Sequence, residues 1–275
     1  AAQWFAAPAA PRAAVLIAGA MGVKQDYYAE FATWLGQQGF AALTFDYRGI
    51  GASRPHDMQR SLRGFEADLF DWADDVDAAI EHLSRAAPGV PLYVVGHSLG
   101  AQLPGMLKHR DRIAGLVSVA AGSGYWRDNA PPLKRMVLYF WHVLVPLATW
   151  LYGYFPGARL KKVGDVPRGV ILQWRRWCLN PRYHVGHEAQ ALGEKFAAAQ
   201  FPIVALSMTD DELMTERGTR VLIDCYENAP RELHRIAPKD VSARRIGHFG
   251  FFRPQFEATL WPRVGRLLRG FGAAA

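Results

Sequence analysis

The 275-residue sequence predicts an α/β fold in which a mostly parallel central sheet is flanked by helices and a helical cap is inserted between two parts of the core. Three observations carry this reading. Short β-type apolar runs alternate with amphipathic helical patterns up to residue 124; the alternation stops at Tyr125 and resumes at Phe201; and the glycine-flanked turn Gly96-His97-Ser98-Leu99-Gly100 stands between an apolar strand and a helix-compatible stretch.

The chain starts without methionine and at once enters a strand-like run over 1–6, so an upstream targeting segment would go unread. A strand over 13–18 leads to a helix over 27–38, a strand over 40–45 to a helix over 67–85, and a strand over 91–95 to a helix over 98–108. In the helix over 67–85, Leu69, Trp72, Val76, Ile80 and Leu83 recur at steps of three and four. Glu66, Asp68, Asp71, Asp74, Asp75 and Asp77 fill the remaining positions or their margins, which reads as a solvated face rather than a metal site. A strand over 113–120 ends in the turn Ala121-Gly122-Ser123-Gly124.

From 125 to 200 the chain is dense in Trp, Tyr, Phe, Pro and basic residues, with helical patches over 133–151 and 170–178. This block reads as a cap, or lid, inserted into one core made of residues 1–124 and 201–275. Its apolar run over 136–155 is interrupted by His142, Pro146 and Gly153, which argues against a spanning helix and for a lid or membrane-surface element. A strand over 201–207, a helix over 215–227, a strand over 231–236 and a helix over 255–269 follow.

Composition narrows the function classes. Half of the residues are hydrophobic and 21% are charged, the balance of a globular protein. Cys178 and Cys225 are far apart and lack metal-ligand neighbours, so neither a disulfide framework nor a zinc site is indicated. They favour a reducing compartment, and a cytoplasmic location is expected. The net charge of +7 is scattered as pairs, Lys134-Arg135, Lys161-Lys162, Arg175-Arg176 and Arg244-Arg245, rather than gathered in an arm, so nucleic acid is not expected as a partner. A membrane surface stays open without being specifically indicated.

The turn at Ser98 carries the chemistry. Glycines two residues to either side let the chain bend sharply from strand to helix and push the serine hydroxyl into the open, at a helix N-terminus whose dipole favours developing negative charge. A serine becomes a nucleophile only when a base takes its proton and a carboxylate orients that base. Carboxylates follow the strand over 201–207 at Asp210, Asp211 and Glu212, and His248 lies in the glycine-flanked loop Gly247-His248-Phe249-Gly250. His97 is expected to pack or hydrogen-bond facing away from the serine, and His142, His184 and His187 read best as surface histidines of the cap. This chemistry calls for no cofactor and no metal.

The chain resembles the α/β-hydrolase superfamily, in its serine-aminopeptidase-like and monoacylglycerol-lipase-like branch. The likeness rests on the turn at Ser98, on Asp46-Tyr47-Arg48-Gly49-Ile50-Gly51-Ala52-Ser53 and on the late Gly-His-Phe, and it spans the core on both sides of the cap. It implies the order Ser98, Asp211, His248 for nucleophile, acid and base. Asp211 is preferred to Asp210 because 211–215 aligns better with relatives; the second carboxylate is then expected to cap the following helix or face solvent. The N–H of Leu99, next after the serine, is the first oxyanion donor. The resemblance implies Met21 as the second, in Gly19-Ala20-Met21-Gly22, although relatives carry His where Gly19 stands and Gly where Ala20 stands. Ala101-Gln102 also departs from relatives, many of which have a further glycine there. The loop beginning at Asp46 is mainly architectural in the family.

The function expected first is hydrolysis of a small-molecule carboxylic ester with an apolar acyl group through an acyl-enzyme. A thioesterase or acyltransferase would use the same residues, and a non-catalytic binding protein could use the same scaffold. An aminopeptidase would need a carboxylate to hold a free amine, and the cap has few, mainly Asp128, Asp165 and Glu188. The cap aromatics, among them Tyr139, Phe140, Trp141, Trp150, Phe155, Trp174 and Trp177, either line a pocket above Ser98 or pack the cap onto the core.

Overall fold

The computed structural model describes residues 1–160, 163–188 and 190–272; the Lys161-Lys162 pair lies outside the described residues. In chain order come β1 (Ala2–Phe5), β2 (Ala14–Ala18), α1 (Ala29–Gln37), β3 (Ala41–Phe45), α2 (Leu69–Ala86), β4 (Leu92–His97) and β5 (Ile113–Val119). Then follow α3 (Pro131–Tyr139), α4 (Val145–Tyr152), a hairpin of β6 (Tyr154–Phe155) and β7 (Val166–Pro167), α5 (Arg168–Leu179), α6 (Tyr183–His187) and α7 (Gln190–Ala197). β8 (Ile203–Met208), α8 (Glu216–Asp224), β9 (Arg231–Ile236), α9 (Gly247–Gly250) and α10 (Trp261–Phe271) complete the chain. The expected α/β architecture is observed: the sheet runs β1-β3-β2-β4-β5-β8-β9, parallel throughout except for β1, which pairs antiparallel with β3.

The inner strands read as unbroken apolar runs because both sheet faces are covered. On one face Val15, Ile17, Val95 and Val117 meet Phe31 and Trp34 of α1 and Trp261 of α10. On the other, Leu16, Leu43, Val94 and Leu116 meet Trp72, Ile80 and Leu83 of α2. The inserted stretch joins this second face, with Val137, Trp141, Phe155, Ile171 and Trp177 in the same apolar cluster and Gln173 Oε1 accepting the Leu69 N–H at 2.7 Å. No described helix is long and apolar enough to cross a membrane.

Two local expectations are corrected, and one, the helical patch over 133–151, is borne out with added detail. The helix over 98–108 is replaced by two 3₁₀ turns, Ser98–Ala101 and Pro104–Met106. Pro104 removes a donor, and Gly105 lies under Phe196 of α7, where a Cβ would stand 2.3 Å from the ring. The patch over 133–151 is two α-helices joined by a π-helical turn at Phe140–Leu144, just before Pro146. The acidic margin of α2 is not simply solvated. Asp68 and Asp71 form its capping box, Asp71 and Asp75 each pair with Arg48 at 2.8 Å, and buried Asp77 accepts the Lys108 and His109 N–H groups at 2.9 and 2.8 Å.

Asp77→Ala would leave those two amides without an acceptor and is expected to destabilise the fold by about 2 kcal/mol. Asp74→Ala, which removes only an exposed pair with Lys108, is expected to cost less than about 1 kcal/mol. Urea unfolding of both variants checks the contrast.

Candidate active site

Ser98 directly follows β4 with φ at 53°, a left-handed conformation that a residue with a side chain adopts only under constraint. The flanking glycines make the turn possible. A Cβ on Gly100 would lie 2.1 Å from the Ala18 carbonyl oxygen, and one on Gly96 would lie 2.6 Å from Ala101 Cα. Ser98 therefore stands at the C-terminal edge of the parallel strands, between the loops that leave β2 and β5.

The structure brings Ser98, His248 and Asp211 into one buried hydrogen-bonded chain. Ser98 Oγ is 3.0 Å from His248 Nε2, and His248 Nδ1 is 2.9 and 3.1 Å from the two Asp211 oxygens. Because a carboxylate only accepts, Nδ1 carries the proton and Nε2 is free to accept from the serine hydroxyl. Asp211 is held in turn by the Leu213 and Met214 N–H groups, each 2.8 Å from Oδ1.

Asp210 takes a different part from the one expected. It neither caps α8, where Thr215 accepts from Gly218 N–H at 3.2 Å, nor faces solvent; its Oδ2 accepts the Ile246 N–H at 2.9 Å. Glu212 grips the same loop, accepting the His248 N–H at 3.1 Å and pairing with Arg245 at 3.0 Å. Burial raises the Glu212 pKa, but hydrogen bonds from its own and the His248 N–H, together with Arg245, outweigh this and hold the carboxyl below its ordinary range. Sequence reasoning missed Asp210 and Glu212 as anchors, and the only signal for them was the run of three acids.

Leu99 lies buried in the first 3₁₀ turn, and Met21 lies buried in the loop leaving β2, the strand next to β4. The Ala20 N–H is already committed, donating to the Tyr28 hydroxyl at 2.8 Å, so Met21 is the next amide that the loop can offer. Gly22, at φ 67°, faces Gly164 of the inserted stretch, where a Cβ would be 3.0 Å from the Gly164 nitrogen. Met21 and Leu99 thus stand on two adjoining loops, which touch where Gly100 packs against Ala18 and Gly19.

A family model described as serine aminopeptidase, S33, matches residues 9–166. The chain belongs to this family. A soluble variant of monoglyceride lipase from Saccharomyces cerevisiae, in complex with a substrate analog, has a similar structure, with a TM-score of 0.68, 17% identity and coverage of 98% of this chain and 90% of that one. A thermostable carboxyl esterase from Bacillus coagulans in complex with glycerol gives a TM-score of 0.68 at 12% identity, covering 98% and 93%. A thioesterase domain from the curacin biosynthetic pathway gives 0.56 at 15%, covering 98% and 94%. At these identities the likenesses speak for the fold.

In this S33 chain an apolar cavity of 380 Å³ opens beside the hydrogen-bonded chain. Leu213, Met214 and Phe249, neighbours of Asp211 and His248, form one wall; Met136, Phe140, Trp141 and Trp174 of the inserted stretch form another. The aromatics of the inserted stretch divide: Tyr139, Phe140, Trp141 and Trp174 line this cavity, Phe155 and Trp177 pack into the core, and Trp150 is exposed. Gln102 links the glycine-flanked turn at Ser98, the elbow, to the cavity wall. Its Nε2 donates to the Gly122 carbonyl at 2.8 Å, and its Oε1 accepts from the Tyr183 hydroxyl at 2.7 Å, which in turn accepts from Trp174 Nε1 at 2.8 Å.

His97 is buried, with Nδ1 2.8 Å from the Tyr28 hydroxyl and Nε2 3.1 Å from the His248 carbonyl oxygen. His184 is not at the surface as expected; it is fully buried against Phe196, and its Nδ1 accepts the Val185 N–H at 2.8 Å. His142 and His187 lie beside Arg175 and Arg176. Among the described residues no group of three or more His, Cys, Asp or Glu is arranged to hold a metal.

Burial pushes the His97 and His184 pKa values down from 6.5 to about 3, with His248 adding to the shift at His97. The unfolded chain takes up these protons near 6.5, so between 6.5 and about 3 it binds more protons than the folded chain, and stability falls as pH falls. Thermal unfolding from about pH 7.5 to about pH 4 is expected to show this loss, up to about 1.4 kcal/mol per pH unit for each imidazole. His184→Gln is expected to make the slope shallower.

Proposed function

We propose that this protein is a serine hydrolase that cleaves small carboxylic esters with an apolar acyl group. The observation that carries this reading is the chain from Ser98 Oγ through His248 to Asp211, with steps of 3.0 and 2.9 Å, beside a cavity walled by apolar side chains. Ser98 Oγ attacks the ester carbonyl carbon as its proton passes to His248 Nε2, and Asp211 stabilises the imidazolium. The carbonyl π pair moves onto oxygen, where the N–H groups of Leu99 and Met21 receive it. Collapse expels the alkoxide, which takes the proton from Nε2, and water then releases the acid by the same steps in reverse. These steps need no metal or cofactor.

Residues 125–200 serve as the cap. Seven of the nine exposed large apolar side chains among the described residues lie between Met136 and Leu151. The chain has no Asp or Glu from 129 to 164, whereas Lys134 and Arg135 lie in that stretch. Met136 and Tyr139 belong both to this exposed row and to the cavity wall, so an apolar chain can pass from a lipid surface into the cavity without crossing water. The fold likeness to a monoglyceride lipase and a carboxyl esterase supports an ester, and that to a thioesterase domain makes a thioester the second reading. An aminopeptidase is disfavoured because Glu212, the acid at the cavity, is already committed to Arg245 and the His248 N–H.

Hydrolysis of p-nitrophenyl esters from acetyl to palmitoyl tests the reading. The wild type is expected to show a chain-length optimum, and Ser98→Ala is expected to lose about 10⁴-fold or more in turnover while keeping its melting temperature. A folded Ser98→Ala protein that still turns over esters would overturn the mechanism. An alkyl fluorophosphonate reports on the serine itself: the Oγ–P bond forms, fluoride leaves and the proton goes to His248. Labelling without ester turnover would favour the thioester. Leu147→Glu combined with Trp150→Glu is expected to slow turnover of emulsified long-chain esters several-fold and to leave dissolved acetyl ester hydrolysis unchanged.

A further inference from the structure

The loop that offers Met21 begins at Gly19, a residue without a side chain. The space beside Gly19 is not empty. A Cβ there would lie 3.0 Å from Tyr28 Cε2, so the Tyr28 ring occupies the volume that a side chain at 19 would need. The Tyr28 hydroxyl, fully buried, reaches the loop itself: its oxygen accepts the Ala20 N–H at 2.8 Å, and it lies 2.8 Å from His97 Nδ1.

Elementary valence fixes the direction of each bond. His97 Nε2 faces the His248 carbonyl oxygen at 3.1 Å, and a carbonyl only accepts, so Nε2 carries the proton. Nδ1 of the neutral ring then has only a lone pair, so the Tyr28 O–H donates to it, which leaves the Tyr28 oxygen free to accept from Ala20. Each donor in the sequence, Ala20 N–H, Tyr28 O–H and His97 Nε2–H, meets one acceptor, the Tyr28 oxygen, His97 Nδ1 and the His248 carbonyl in turn. Burial keeps the His97 ring neutral, as this pattern requires.

Tyr28 is itself held firmly. It closes the 3₁₀ turn Gln25–Tyr28, whose first residue is bound through its N–H to Asp46 Oδ1 at 2.8 Å and through its side chain to Asp46 Oδ2 at 3.1 Å. The neighbouring Tyr27 hydroxyl donates to the Phe249 carbonyl, one residue past His248. One turn therefore ties the loop of Met21, the elbow residue His97 and the loop of His248 into a common frame.

We propose that Tyr28 is the positioning residue of the oxyanion loop in this chain, its hydroxyl holding the Ala20 N–H and so setting the Met21 N–H relative to Ser98. The inference rests on the reading of Ser98 as the nucleophile. Tyr28→Phe keeps the ring and removes the hydroxyl, so the Ala20 and His97 groups lose their shared partner and the loop is free to shift.

The test compares wild type and Tyr28→Phe with three probes. The rate of Ser98 labelling by an alkyl fluorophosphonate is expected to fall about 10–100-fold, the range for a displaced catalytic group. An alkyl trifluoromethyl ketone adds to the serine: the Oγ–C bond forms, the C=O π pair becomes the oxyanion and the proton passes to His248. Its affinity is expected to fall by a similar factor. The corresponding trifluoromethyl carbinol cannot form an oxyanion, and its affinity is expected to stay unchanged. Loss of affinity for ketone and carbinol alike, or for neither, would assign Tyr28 a packing role only and overturn the proposal.

If Tyr28→Phe does not fold, Gly19→Ala serves instead, since it keeps every hydrogen-bonding group and presses a methyl against the Tyr28 ring. It is expected to weaken the ketone several-fold and spare the carbinol, and equal effects on both would overturn the proposal. A wild type that no fluorophosphonate labels would overturn the reading of Ser98 and this inference together; a labelled wild type with an unaltered Tyr28→Phe would overturn this inference alone.

Discussion

Everything at the site depends on how closely the turn after β4 approaches the end of β2. With a Cβ on Gly100 placed 2.1 Å from the Ala18 carbonyl, the two backbones are packed to the limit that glycine allows. That contact puts the elbow beside the loop that begins at Gly19, and it leaves Ser98 in a left-handed conformation that the chain would otherwise relax. The strain persists because the neighbours leave no alternative. Gly96 packs on Ala101, His97 is pinned at both ring nitrogens, and Gln102 is bonded at both ends of its amide.

The second constraint is the grip of one acidic loop on the loop of His248. Asp210, Asp211 and Glu212 are consecutive, yet each binds a different group: the Ile246 N–H, the His248 ring, and the His248 N–H with Arg245. Backbone and ring of the histidine are thus fixed from one short segment at the end of β8. This is preorganisation by short-range bonds; Asp211 and His248 are buried, where an unmade bond would leave an unsatisfied group, whereas the Glu212–Arg245 pair lies exposed at the rim. It also divides the work, because only Asp211 is placed to stabilise charge on the imidazole, while its neighbours hold the frame.

Much of this was legible in the sequence because it follows from periodicity and local sterics. The apolar steps of α2, the strand runs and the paired glycines around Ser98 each state a local requirement that the fold repeats. What was not legible is tertiary. A helix over 98–108 fits local propensity, but Pro104 and the ring of Phe196 on Gly105 override it, and Phe196 lies far along the chain. Asp77 sits among acids that look solvated, and its acceptance of two loop amides depends on where residues 108 and 109 return. Tyr28 is ordinary in sequence, and its place against Gly19 is identified only by the space that it fills.

The lost helix after the elbow has a consequence for the inserted stretch. In its place α7 brings Phe196 onto Gly105, and α6 brings Tyr183 onto Gln102, so the inserted stretch reaches down to the residues that directly follow the serine. Trp174, which walls the cavity, donates to that same Tyr183 hydroxyl. A group entering the cavity therefore presses on a wall joined to the elbow by two hydrogen bonds, Trp174 to Tyr183 and Tyr183 to Gln102. A glycine after the elbow could make neither the bond to Tyr183 nor the bond to the Gly122 carbonyl. The glutamine couples the two halves of the molecule at the point where the serine turn has the least freedom to move.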